Sequence, residues 1–320
     1  MKLLAPIISF LIFLLCLSGT LYSQGKYTVK PLLPEILQPY PNLRDFTISE
    51  ECDEAYLTAQ SPLGELSVII KLKKEDNQWS DPQLVAFSGK FMDLEPFLAP
   101  DGLRLFFASN RPLDQDSEET KDFDIWYVER KKPESEWSSP INLGKPVNSK
   151  HNEFFPSVAG NNNLYFTSDP SDSKGMDDIY FSAWQHDHYA TPVSLSDSIN
   201  SEGYEFNAFI APDESYLLFS GYNREDGFGS GDMYISYRRK GTYWTKAKNL
   251  GDGINSDKMD YCPFVDLQGK TLFFTSKRSM LEPPTNKISS IEEFLFIINA
   301  YENGLSRIYQ VPFAQIIEHE

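Results

Sequence analysis

DLEPFLAPDGLRLFFASNR at Asp93–Arg111, followed after an acidic loop by DFDIWYV at Asp122–Val128, decides the fold. It reads as three strands: an apolar stretch around Phe97 and Leu98, an Asp101-Gly102 turn, the apolar run Leu103 to Ala108, and Ile125 to Val128 beyond a polar gap. The same string recurs as EFFPSVAGNNNLYFTSD (Glu153–Asp169), EFNAFIAPDESYLLFSG (Glu205–Gly221) and DYCPFVDLQGKTLFFTSKR (Asp260–Arg278). A worn copy, DFTISEECDEAYLTAQ, stands at Asp45–Gln60.

Each unit repeats one order: an inner strand A, a turn, a very apolar strand B, a variable polar loop, a strand C and a last strand D. Strand C reads DIWYV at Asp124, DIYFS at Asp178, DMYIS at Asp232 and RIYQV at Arg307; strand D reads WSDPQLV at Trp79, WSSPINLG at Trp137, YATPVSL at Tyr189 and YWTKAKNLG at Tyr243. Pro96, Pro156, Ala208 and Pro263 hold matching positions roughly 50 to 60 residues apart, room for four short antiparallel strands. A sheet of this kind cannot bury both faces alone, so the units must stack radially. The expectation is an all-β propeller of five four-stranded antiparallel blades over residues 24–320. The fifth unit lacks a strand D, and VKPLLP at Val29–Pro34 is a spare strand able to close it and remove the open edge. The last unit also carries an insertion. Ser290 to Glu293 is a capping box, Phe294, Ile297, Ile298 and Tyr301 follow helical spacing, and Asn303-Gly304 is a stop, which predicts a helix of about three turns near 290–303 packed on one rim. A degenerate sixth blade hidden there is the alternative.

The opening MKLLAPIISFLIFLLCLSGTLYSQ reads as a secretory signal peptide cleaved near Ser23, which places the chain in the periplasm or outside the cell. An uncleaved anchor is the other reading. Lipidation at Cys16 is disfavoured because Leu15 stands where a small residue belongs. A net charge of −17 excludes nucleic acid and anionic membranes as partners; it suits a basic protein, a cation or a neutral glycan. Cys52 and Cys262 fall at different points of the repeat and are expected as free thiols.

With the repeats aligned, the chain resembles the WD40-like PD40 propellers, related to the propeller domain of the periplasmic protein TolB. The likeness rests on Ala99-Pro100-Asp101-Gly102, Phe106 to Arg111, Asp124-Ile125-Trp126-Tyr127, Asp178-Ile179-Tyr180 and Thr275 to Arg278. It covers nearly all of the chain beyond the leader and implies the propeller fold. Two departures bear on function: TolB-like propellers usually have six blades, and TolB's separate N-terminal domain has no counterpart here.

The first candidate site is a ring of acids. Asp93, Glu153, Glu205 and Asp260 each stand three residues before the matching strand-A position, at the mouth of the expected channel, with Leu43 in the fifth place. They could converge on a cation such as Ca²⁺ or on a basic partner, or each could bond the amides of its own loop. Asp124, Asp178 and Asp232, just before strand C, are expected to fix turns, with Arg307 in the fourth place. The loops ahead of them are acidic (Asp114, Asp116, Glu118, Glu119; Asp169, Asp172, Asp177; Glu225, Asp226) but lack EF-hand spacing. His186-Asp187-His188 reads as a solvated hairpin, and Trp79, Trp137, Trp184 and Trp244 as packing between outer strands. There is no GxSxG, HExxH, CxxC or phosphate loop. The expectation is therefore a non-enzymatic monomer without a cofactor, binding an envelope protein or glycan through its acidic loop-bearing face, with peripheral membrane association open. The alternative is a glycan-active hydrolase or lyase using channel carboxylates, which closure of the channel mouth by Phe97, Phe155 or Phe264 would exclude.

Overall fold

A computed structural model describes residues 27–317, apart from 115, 172, 240–242 and 283–286. The leader, Cys16 and Asp172 lie outside the described residues. Five antiparallel sheets of four or more strands follow in chain order, beside a two-stranded ribbon of Trp184–Gln185 and His188–Tyr189. Strands A, B, C and D are Asn42–Ile48, Glu54–Gln60, Ser67–Glu75 and Gln83–Leu84 in blade 1, and Asp93–Leu98, Arg104–Ser109, Asp124–Glu129 and Ile141–Asn142 in blade 2. Blade 3 has Glu153–Val158, Leu164–Ser168, Asp178–Ser182 and Val193–Ser194; blade 4 has Tyr204–Ile210, Tyr216–Tyr222, Gly231–Arg239 and Lys248–Asn249. Blade 5 has Asp260–Val265, Thr271–Ser276 and Arg307–Pro312, and its fourth strand is Lys30–Pro31, in register with Gln310 and Tyr309. The protein is a five-bladed β-propeller closed by its N-terminal strand.

Strands A and B read as nearly continuous apolar runs because neighbouring blades cover both of their faces; every residue of Asp93–Leu98 is buried. Strands D are two residues long and largely exposed, as suits an outer edge. The A–B hairpins use the turn chemistry the sequence predicts: Gly102 takes φ +67° and its N–H donates to the Ala99 carbonyl at 2.8 Å. On the outside, Trp137 Nε1 donates to Tyr56 Oη at 2.9 Å with the Arg130 guanidinium 4.2 Å from its ring, tying blade 2 to blade 1. His186 and Asp187 form a positive-φ hairpin turn, and Cys52 and Cys262 are free thiols.

The insertion of blade 5 holds a helix, not a sixth blade. Among the described residues the first helix is α1 (Pro34–Leu37), the insertion gives α2 (Ile291–Ile298), and α3 (Ala314–Ile317) comes last. The Glu293 N–H donates to the Ser290 side chain, as the capping box requires. The expected three turns packed on the rim are corrected in two respects. The helix stops at Ile298, and none of its residues is buried. Tyr301, expected on the same helical face, turns back past the cap into the core, its hydroxyl 2.9 Å from the Ile308 carbonyl.

Candidate functional site

The four ring acids do not meet. Asp93, Glu153 and Asp260 begin their strands A and Glu205 is second in its own; each is at most 1 % exposed and is held by its own blade. Asp93 accepts from Ser88 Oγ (2.8 Å), Ser109 Oγ (2.7 Å) and Arg111 Nη2 (2.5 Å). Glu205 takes Ser201 N–H and Oγ (both 2.7 Å) with Arg224 at 2.8 Å, and Asp260 takes Ser256 N–H and Oγ with Arg278 at 3.2 Å. Glu153 is bonded by Ser149 N–H and Oγ (3.2 and 2.6 Å) and has no arginine partner. Burial, the largest cause, raises it to about 7. Leu43 fills the fifth place as an apolar core residue. The pattern serving these acids was readable and missed: VNSKHNE, INSEGYE and INSDKMD (147–153, 199–205, 254–260) share one spacing. Their Ser bonds the acid, while Asn148, Asn200 and Asn255 each cap both backbone groups of a residue in strand C.

The turn acids are likewise local. Asp178 accepts from the N–H groups of Lys174 and Gly175, Asp232 from those of Phe228 and Gly229, and Asp124 from Lys121 Nζ and Asn142 Nδ2. Arg307 donates to the Tyr40 and Tyr301 carbonyls.

What converges on the axis is the residue two places beyond each ring acid: Asp45, Glu95, Phe155, Asn207 and Cys262. All five are buried and all five have positive φ, between 46° and 62°. Each sits at a register shift in its A–B ladder. A β-bulge therefore occurs at the same point in every blade and re-aims one side chain inward; left-handed backbone at Phe, Glu or Cys is a strained choice that clusters at functional sites. The bulge amides of Asp45, Glu95 and Asn207 donate to a threonine of strand B in the preceding blade, Thr275, Thr58 and Thr167 respectively. For Phe155 the preceding blade offers Ala108 at that place, and Glu95 Oε2 accepts its N–H at 2.7 Å instead.

Arg44, one residue ahead of Asp45, completes the cluster. Its Nε donates to both Asp45 oxygens (2.9 and 2.8 Å) and its Nη2 to Glu95 Oε1 (2.7 Å), so one guanidinium spans two carboxylates from different blades. The Cys262 thiol donates to Asp45 Oδ1 at 2.8 Å, and burial pushes its pKa up, which keeps it a donor. Asn207 Nδ2 lies 3.5 Å from Glu95 Oε1. Burial is also the largest influence on Glu95; with the repulsion of Asp45 it outweighs Arg44, the Phe155 amide and Asn207 and raises the acid to about 7. Every partner of Glu95 in this cluster is a donor.

Below this layer, Phe97, Phe209 and Phe264 close the channel, their ring centroids 5.2 to 6.5 Å apart. Above it, at the mouth, stand the residues adjoining the ring acids: Arg44, the buried Leu94 and Tyr261, and Phe154 and Phe206, which pack on the buried Phe155, Tyr261 and Cys262, with Phe123 5.0 Å from Phe154. Arg44 retains 18 % of its side-chain exposure and lies 5.3 Å from the Tyr261 ring. Tyr204 and Tyr222 stand exposed beside the mouth, edge to face at 5.8 Å. Phe97 and Phe264 thus form a floor, and Phe155 takes one of the five axial places. A separate cavity of about 470 Å³ opens between blades 1 and 2 on the opposite face. Its buried charges, Arg130 and Glu54, are paired with each other at 2.8 Å.

Among the described residues, no group of three or more His, Cys, Asp or Glu is arranged to hold a metal ion. No helix there is long and apolar enough to cross a membrane.

No family model matches the chain, and no curated protein matches it. Solved structures do. The α-L-arabinofuranosidase of Podospora anserina in complex with cellotriose superposes with a TM-score of 0.53 at 10 % identity, over 90 % of this chain and 96 % of that one. The catalytic domain of a Coprinopsis cinerea α-L-arabinofuranosidase gives 0.51 at 10 % identity, over 90 % and 97 %. A TolB-described protein of Agrobacterium tumefaciens gives 0.47 at 13 % identity, over 73 % and 69 %. These comparisons correct the non-enzymatic expectation. It stood on the absence of a catalytic sequence motif, yet propellers matching this one nearly end to end are glycosidases. Identities this low establish a shared fold, and the fold is the five-bladed propeller.

Proposed function

We propose that the chain is a glycan-active hydrolase whose reaction takes place on the propeller axis, and that it works in the periplasm or outside the cell. One observation carries the reading. Glu95, a buried acid raised to about 7, stands with the ion-paired Asp45 around a single guanidinium, under a mouth lined by aromatic rings. Glycoside hydrolysis needs two carboxyl groups with divided roles, one protonated and one not. Glu95 supplies the proton to the glycosidic oxygen as the C–O bond breaks. Asp45, whose charge Arg44 balances, faces the anomeric carbon as nucleophile or as base for water. Arg44 is the part of the cluster most open to solvent and the first that an entering sugar meets. Phe154, Phe206 and the Tyr204–Tyr222 pair offer faces on which sugar rings stack. The net charge of −17 favours neutral over anionic glycans.

The test is release of reducing sugar from a panel of neutral oligosaccharides and aryl glycosides by the wild type and by Glu95→Gln. Gln keeps an acceptor for the Phe155 amide but cannot deliver a proton, so the fold should persist while the rate falls by about 10² to 10⁴. No release from any neutral substrate, or equal rates for the two proteins, would sink the reading.

A further inference from the structure

The two carboxyl groups on the axis cannot be touched as they stand. The Asp45 side chain is 0 % exposed and that of Glu95 4 %, while Arg44 keeps 18 %. Its guanidinium lies across both acids, with Nε on Asp45 and Nη2 on Glu95 Oε1; Nη2 is also 3.7 Å from Cys262 Sγ, and the Tyr261 ring stands alongside at 5.3 Å. Nη1 makes no hydrogen bond to a described residue and is not buried, so it is the corner that faces the mouth. From below, the rings of Phe97, Phe209 and Phe264 shut the other way in. The rest of the mouth is fixed more firmly. Tyr261 Oη and Ser306 Oγ are 2.6 Å apart, and backbone bonds tie the B–C connections of blades 2 and 3 to strand A of the next blade, from Glu153 N–H to the Phe123 carbonyl at 2.8 Å and from Glu205 N–H to the Asp177 carbonyl at 3.0 Å. Gly231 and Met259 form the corresponding bridge between blades 4 and 5. Blade 1, which carries Arg44, has the shortest B–C connection of the five, the hairpin Ser61 to Leu66, and so the lowest wall.

We propose that Arg44 is the gate of the axial site: its guanidinium swings off Glu95 toward the mouth, over blade 1, and only then does a ligand reach Asp45 and Glu95. The inference rests on the hydrolase reading for what it admits. Two acids that act on a glycosidic bond must be touched by the sugar, and one side chain stands over both. Moving that side chain is enough. Rotation about its own torsions frees Nε and Nη2 without disturbing strand A, whose Asp45 amide stays on Thr275 Oγ1 at 3.3 Å. The Tyr261 ring gives the cation a face to slide along as it leaves. Without a ligand, the departure strips two buried carboxyl groups of their charged donor, which costs far more than a change of rotamer, so the covered arrangement is the resting one. Sugar hydroxyls supply donors in place of the guanidinium, which regains water at the mouth. A ligand therefore selects the open arrangement by binding it alone.

Cys262 reports the gate, because its thiol is buried against Nη2. In a Cys16→Ser/Cys52→Ser background it is the chain's only cysteine. Its alkylation by iodoacetamide is followed at a series of urea concentrations below the unfolding transition. A gate that opens in the folded protein gives a rate independent of urea, whereas labelling through unfolding accelerates as urea lowers global stability. Arg44→Lys keeps the charge but loses the fork that spans two carboxyl groups, so its labelling should be at least about tenfold faster and still independent of urea. Labelling that tracks unfolding in both proteins overturns the proposal. So does an Arg44→Lys rate no higher than that of Arg44, which would put the opening elsewhere, such as the phenylalanine floor. Sugar release from the neutral panel separates the gate from the reading it rests on. Release by a protein whose Cys262 labels only through unfolding sinks the gate alone; urea-independent labelling that Arg44→Lys accelerates, with no release from any substrate, sinks the hydrolase and keeps the gate.

Discussion

Two rings of side chains lie a few ångströms apart in this propeller and divide its labour. The outer ring, Asp93, Glu153, Glu205 and Asp260, is repetitive: a carboxylate, Asp or Glu, a serine four or five residues earlier, and in three blades an arginine. The axial ring, two residues further on, has one backbone conformation in all five blades and five different side chains. Repetition marks what every blade needs to hold its loop. A constant backbone with a varied side chain marks a place where the fold presents groups and the sequence chooses them.

The comparison breaks most sharply if its members exchange effects. Glu95→Gln should remove nearly all glycan hydrolysis, about 10² to 10⁴ in rate, with little change in melting. Asp93→Asn should do the opposite. It leaves the Arg111 guanidinium facing a neutral amide in a buried site, at a cost of about 3 to 5 kcal/mol in denaturant unfolding, while the molecules still folded keep the wild-type turnover. Loss of turnover in folded Asp93→Asn would erase the distinction between the rings.

The sequence made one ring legible and hid the other for a physical reason. Blade number, ring closure by Lys30–Pro31 and the capped helix follow from periodicity and turn chemistry, which act locally. The outer acids recur, so alignment of the repeats finds them. The axial residues share a φ value, and φ leaves no mark on residue type when five different residues accept it. A faint signal existed: Ala108 stands where strand B of blades 1, 3 and 5 has threonine, and the amide it leaves unserved is the one Glu95 caps. The exposure of α2 was also out of reach, because amphipathic spacing reports a stripe and does not say what covers it.

A smaller effect sharpens the assignment of Glu95. Hydrolysis needs its proton, so the rate should fall as pH rises through about 7, the value to which burial raises it. The limb is measured as kcat/KM against pH on a neutral aryl glycoside. A limb that stays in place when Asn207 is changed to Ala would separate it from Glu95, because the Asn207 amide is one of the groups that lower Glu95. Removing that bond should move the limb to higher pH.

The smallest expected effect concerns Glu153, the outer acid without an arginine. In the folded chain its pKa is about 7, against about 4.3 in an unfolded one, so the native state holds a proton that the unfolded state has released. Its contribution is complete at low pH and is lost as pH rises through about 7. Glu95, raised for the same reason, adds to the trend. Glu153→Gln keeps acceptors for the Ser149 N–H and hydroxyl and has no proton to lose. Stability between about pH 5 and 7 should then fall less steeply, by up to about 1.4 kcal/mol per pH unit, with turnover untouched. Urea unfolding at several pH values reads the slope. An unchanged slope would mean that Glu153 is ionised where it is buried, and that the Ser149 bonds alone do in blade 3 what an arginine does in blades 2, 4 and 5.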